Sequence, residues 1–128
     1  MARILIVEDT PGNMLLTSIV LESEGHTLFC ADRALPGIEI AQQEALDLIL
    51  MDVQLPELDG TAAVAILKGD PRTCAVPVVA LTAYAMKGDR ERLLASGFDG
   101  YIEKPINYVD FLAEVQRITG GTSMPLPE

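Results

Sequence analysis

Tryptophan is absent from this chain of 128 residues, and three Tyr and three Phe are its only aromatics. Its core must therefore be aliphatic, and at 49% hydrophobic residues one can form without covalent staples. Cysteine is scarce: Cys30 and Cys74 stand far apart and form no CxxC pair, which argues against a disulfide framework and a zinc site. Basic residues are few, nine Lys and Arg against nineteen Asp and Glu, for a formal net charge of −10. Such a surface repels nucleic acid and anionic lipid, so neither is expected as a direct partner; it favours metal cations and basic proteins. Long apolar runs are missing. After Met1-Ala2-Arg3 the first lasts only a few residues, too short for a signal peptide or a membrane helix. The expected location is a reducing cytoplasm. Gly-rich phosphate loops are missing too, since Gly12 stands alone. The length fits one domain.

What is present is an alternation of short apolar runs with longer amphipathic stretches. Ile4-Leu5-Ile6-Val7 is continuous and mostly β-branched, as in a strand buried on both faces. Pro11-Gly12-Asn13 opens a helical stretch through Leu15, Leu16, Ile19 and Val20 that stops at Gly25. Thr27 to Ala31 reads as a second strand. Ala34 to Glu44 reads as a helix with Leu35, Ile38 and Ala41 on one face and Pro36 in its first turn. Leu48-Ile49-Leu50-Met51 is a third strand ending at Asp52. The run from Leu55 to Gly60 is turn chemistry, and a helix from Thr61 to Lys68 follows. Val76 to Leu81 is the fourth strand, Lys87 to Ala95 a weak helix anchored by Leu93 and Leu94, and Tyr101-Ile102 lies in a fifth strand. The last helix has the cleanest period, with Tyr108, Phe111, Leu112, Val115 and Ile118 on one face. Strands alternating with helices predict an α/β fold with a parallel sheet covered on both sides. Residues 1–119 form the expected domain and 120–128 a flexible tail.

The chemistry sits at the strand ends. The first strand runs into Glu8-Asp9, the third ends at Asp52, the fourth at Thr82, and Lys104-Pro105 follows the fifth. Ligands of an open parallel sheet bind beyond the carboxyl ends of its strands. Three carboxylates held close there repel one another, and a hard divalent cation such as Mg²⁺ removes that penalty. One carboxylate can then attack phosphorus, while a Lys and a hydroxyl hold the other phosphoryl oxygens. Taken singly, Asp9 or Asp52 is as readily a helix cap, Thr82 a cap for the next stretch, and Lys104 a solvated lysine. The joint placement favours the site.

The blocks Ile4-Leu5-Ile6-Val7-Glu8-Asp9, Leu48 to Pro56 around Asp52, Leu81-Thr82-Ala83 and Lys104-Pro105 resemble the response-regulator receiver family of two-component signalling, from about Ala2 to Ile118. The chain is especially similar to single-domain receivers of cell-cycle phosphorelays, with Ala85 to Asp89 in support. The resemblance implies a flavodoxin-like fold with five parallel strands in the order 2-1-3-4-5. It implies Asp52 as phosphoacceptor. Glu8, Asp9, Asp52 and the backbone carbonyl of Gln54 would hold Mg²⁺. Thr82, Ala83, Lys104 and Pro105 would contact or flank the phosphoryl group, and the side chains of Gln54 and Tyr84 would tune its lifetime. Tyr101 matches the family's switch aromatic, although a half-buried strand aromatic is the plainer reading of that residue. The phosphoryl group would come from a histidine kinase or histidine phosphotransfer protein. Phosphorylation would remodel a surface around the fourth helix, fifth strand and fifth helix for a downstream protein. His26, the only histidine, falls in a turn expected to be exposed and is no phosphodonor. A phosphatase of the haloacid dehalogenase type would need a second Asp two residues after its nucleophile; Gln54 stands there, so no turnover enzyme is expected.

Overall fold

Each short apolar run becomes a strand and each stretch between becomes a helix. The computed structural model describes residues 2–55, 58, 60–82, 89–103 and 108–120. In chain order the elements are β1 (Arg3–Val7), α1 (Pro11–Ser23), β2 (Thr27–Ala31), α2 (Ala34–Gln43), β3 (Leu48–Asp52), α3 (Gly60–Lys68), β4 (Val78–Thr82), α4 (Asp89–Ala95), β5 (Gly100–Glu103) and α5 (Tyr108–Val115), which continues into a π-helical turn (Gln116–Gly120). The strands pair in parallel in the order β2-β1-β3-β4-β5, the arrangement expected. Among the described residues, no helix is long and apolar enough to cross a membrane.

Side-chain alternation splits the core into two layers. Leu5, Val7, Ile49, Met51, Val78 and Ala80 point to the face covered by α2, α3 and α4. Ile4, Ile6, Leu48, Leu50, Val79 and Leu81 point to the face covered by α1 and α5. That explains why β1, β3 and β4 read as unbroken apolar runs: both faces are dry. The α5 stripe packs as expected, with Phe111 and Val115 buried and Tyr108, Leu112 and Ile118 against them. Tyr108 meets Phe111 edge-on, with ring centroids 6.0 Å apart.

Several boundaries and faces differ from the sequence reading. β4 begins at Val78, because Pro77 has no N–H to give the ladder; its carbonyl instead accepts from the Ile49 N–H at 2.9 Å. α2 ends at Gln43, with Glu44 already extended, and α3 begins one residue early at Gly60. Residues 87 and 88, read as the start of the fourth helix, lie outside the described residues, as do 121–128 of the expected tail. In α2 the buried stripe is Ala34, Ile38 and Ala41, at spacings of four and three, and this leaves Leu35 53% exposed. Among the described side chains of α4, only Leu93 is buried. Leu94 is 44% exposed, since adjacent helical residues lie about 100° apart. Likewise α1 packs through Met14, Thr17 and Leu21, and leaves Leu15, Leu16 and Ile19 exposed. The chain leaves α1 and α4 through positive φ at Gly25 (88°) and Gly97 (118°), where a side chain is disfavoured.

The edge of the sheet away from the strand C-termini is tied by polar contacts. Lys68 Nζ donates to Asp99 Oδ2 at 2.8 Å and to the Val76 carbonyl at 2.9 Å, and the same Asp99 oxygen accepts from the Val78 N–H at 2.8 Å. This links the end of α3 to the entrances of β4 and β5. His26 is half-buried, not exposed: its Nδ1 accepts a hydrogen bond from the Ala2 N–H at 3.1 Å, which needs the neutral ring. Burial, only partly opposed by nearby Glu24, holds its pKa below the usual 6.5. The unfolded chain therefore binds the His26 proton more readily than the folded one. The stabilisation is complete above the unfolded value and is lost as pH falls through the folded value. An NMR titration of His26 is expected to give a midpoint below 6.5, and His26→Gln is expected to flatten the stability profile across that acid window.

Candidate phosphoacceptor site

Backbone register builds the site. In the β1–β3 pair Val7 lies beside Met51, so the next residues stand side by side, Glu8 just past β1 and Asp52 as the last residue of β3. Glu8 is fixed from the other side by its N–H, which donates to the Ala31 carbonyl at the end of β2 (3.0 Å). Asp52 pairs in register with Leu81 of β4, and the Val53 N–H reaches the Leu81 carbonyl at 3.1 Å. Thr82 closes β4 one residue further on and lies beside Glu103, the last residue of β5.

Burial separates these groups from ordinary surface acids. Glu8 is 2% exposed, Asp52 5% and Thr82 2%, while Asp9 is open to solvent. One carboxylate oxygen from each of Glu8, Asp9 and Asp52 lies within 4.8 Å of the others. Neither Asp caps a helix. The N-cap of α1 is Thr10, with no side-chain cap bond, and α3 starts eight residues beyond Asp52. Local N–H groups orient the buried acids instead: Gln54 N–H donates to Asp52 Oδ1 at 2.9 Å and Thr10 N–H to Glu8 Oε2 at 3.3 Å. All three are hard oxygen donors at one spot, a set that suits a small divalent cation. Tyr101, beside Ala80 in the β4–β5 ladder, is half-buried against the core layer under α2 to α4. Ala83, Tyr84, Lys104 and Pro105 lie outside the described residues.

A protein-family model described as the response regulator receiver domain matches residues 4–116. The chain belongs to the response regulator receiver family. Among curated relatives, the polar-differentiation response regulator DivK of Brucella anthropi is 38% identical over 117 residues, covering 91% of this chain and 95% of that protein. Sensor protein GacS of Pseudomonas syringae pv. syringae is also 38% identical, over 98% of this chain, but the chain spans only 14% of that longer protein. Among solved structures, the receiver domain of sensor histidine kinase PA1611 from Pseudomonas aeruginosa superimposes with a TM-score of 0.86 at 34% identity, over 93% of this chain and 98% of that one. That structure has a magnesium ion coordinated in its active site cleft. The receiver fold and the resemblance read from the four motif blocks are both borne out.

Two features of the receiver site escaped the sequence reading. The Gln54 backbone N–H donates to Asp52 Oδ1, a contact beside the roles expected of its carbonyl and side chain. Gly60, read merely as part of a turn, lies against the Asp52–Val53 peptide. The glycine after Leu58-Asp59 was the available signal, but only the folded loop shows what it touches.

Gathering three negative groups costs stability when nothing neutralises them. In buffer freed of divalent metal, Asp9→Asn is expected to raise Tm by about 3 °C, and millimolar Mg²⁺ is expected to erase or reverse that gain. Thermal melts of the two proteins with and without the metal check this.

Proposed function

We propose that Asp52 is the residue at which this receiver accepts its phosphoryl group, donated by the histidine of a partner kinase or phosphotransfer protein. The observation that carries the reading is the buried Asp52 carboxylate gathered with Glu8 and Asp9 at the C-terminal edge of a parallel sheet. Glu8, Asp9, Asp52 and the Gln54 carbonyl would hold Mg²⁺, and the oxygen-only donor set fits that ion. When bound, it would neutralise the carboxylates and the charge that develops on the phosphoryl oxygens.

The rest falls to the protein's own groups. The Gln54 N–H holds one oxygen of Asp52, and the other would attack phosphorus. The bond from phosphorus to the donor nitrogen breaks as the aspartyl phosphate forms, and the electron pair leaves with the imidazole. Lys104 would pair with the transferred group, and the Thr82 hydroxyl would turn to donate to it. Ala83 would move with Thr82, and Pro105 would help aim Lys104. The new charge, about −2, would draw Thr82 inward, and Tyr101 would rotate into the space released, reshaping the surface of α4, β5 and α5 for a downstream protein. Receiver function would reside in residues 1–119, with 120–128 as a tail, in the cytoplasm. The chemistry is self-phosphorylation, not turnover of a free substrate.

Incubation with acetyl phosphate and Mg²⁺, followed by intact mass, is expected to show one added phosphoryl group. Asp52→Asn and removal of the metal should each abolish it. Uptake that persists in Asp52→Asn would move the acceptor elsewhere.

Gln54 and Tyr84, two residues beyond Asp52 and Thr82 respectively, would govern the lifetime of the phosphoryl group, Tyr84 by screening it from in-line water. Tyr84→Ala is therefore expected to speed dephosphorylation several-fold, measured as decay of the phosphorylated mass after the donor is removed.

A further inference from the structure

We infer that Gly60 is a positioning residue for phosphoryl transfer: the missing side chain lets the start of α3 close directly on the peptide that carries Asp52. This rests on the reading of Asp52 as the phosphoacceptor. A Cβ built on Gly60 would fall 2.8 Å from the Asp52 carbonyl oxygen, 2.8 Å from the Val53 Cα and 3.4 Å from the Asp52 carbonyl carbon. These are backbone atoms, which cannot swing aside as the end of a long side chain does. The requirement is one of space and not of dihedral angle. Gly37 is also crowded, but against the side chain of Val7, and Gly12 has nothing within 4 Å.

Both partners in this contact are anchored. The strand side is held by the Val53 N–H on the Leu81 carbonyl at 3.1 Å. The helix side is held by Ala63 and Val64, both fully buried. The Gly60 N–H then donates to the Val53 carbonyl at 2.8 Å and closes the intervening loop. Inside that loop the Gln54 N–H holds Asp52 Oδ1 at 2.9 Å. A methyl group at position 60 must widen the contact by several tenths of an ångström. With the core resisting on both sides, the movement falls on the Asp52–Val53–Gln54 backbone. That backbone sets where the attacking oxygen lies relative to Glu8 and Asp9. Displacements of this order at a reacting atom cost about tenfold or more in rate.

The test compares the wild-type 128-residue chain, Gly60→Ala and Leu67→Ala for initial rates of phosphorylation by acetyl phosphate with Mg²⁺. It is run at a temperature where circular dichroism shows every protein folded. Leu67→Ala loosens the far end of the same helix, seven residues beyond Gly60. Gly60→Ala is expected to lower the maximal rate about tenfold or more with little change in the half-saturating acetyl phosphate concentration, while Leu67→Ala stays close to wild type. If Gly60→Ala does not fold, one glycine inserted after Leu58 opens the same closure without adding a methyl group, and the same fall in rate is expected. A wild-type rate in the variant tested, or a loss no greater than that of Leu67→Ala, overturns the positioning role alone. A wild type that takes up no phosphoryl group overturns the underlying reading, and this one with it.

Discussion

The site depends on the register between β1 and β3. Val7 beside Met51 brings Glu8 and Asp52 side by side at the ends of their strands. A shift by one residue would turn every side chain of the strand to the opposite face. That shift is blocked because β1 and β3 are buried on both sides, with Leu5, Val7, Ile49 and Met51 in one layer and Ile4, Ile6, Leu48 and Leu50 in the other. The hydrophobic core thus holds the carboxylates at fixed spacing, and the apolar and charged parts of the receiver act as one device.

Packing also offsets an electrostatic cost. Two of the three carboxylates are almost wholly buried, in a chain that already carries a net charge of −10. Unbalanced negative charge in such a place destabilises the fold, and a cation or local N–H donors relieve it. Donors from Thr10 and Gln54 serve Glu8 and Asp52, so part of the relief is built into the loops after β1 and β3. The opposite edge of the sheet has a different character: Lys68 and Asp99 pair there and satisfy backbone groups. The acid cluster instead lies at the edge where ligands of an open parallel sheet bind.

Much of this was legible before folding. Continuous apolar runs identified β1, β3 and β4, and the four motif blocks identified the receiver family and the strand-end acids. Each misreading has its own physical cause. Leu35 and Leu94 were assigned to packing faces by their hydrophobicity, yet each is substantially exposed, because a helix only one layer deep buries a narrow stripe. Pro77 falls at the beginning of the expected fourth strand but precedes β4, because a missing N–H shows no cost until the ladder partner is known. His26 looked like an exposed turn residue, since nothing local signals a hydrogen bond to Ala2, 24 positions away.

The sequence by itself determined which elements form, that the sheet is parallel and two-sided, and which residue types stand at the strand ends. These follow from periodicity and turn chemistry, which are local. Only the tertiary structure decided that Glu8, Asp9 and Asp52 lie within a few ångströms of one another, that Asp52 is buried while Asp9 is open, and that Gly60 touches the Asp52 backbone. Those facts depend on register and on the closing of loops between distant segments, and side-chain pattern does not encode distance. A strand-end carboxylate acquires its neighbours and its access to water only when the chain's other segments close around it.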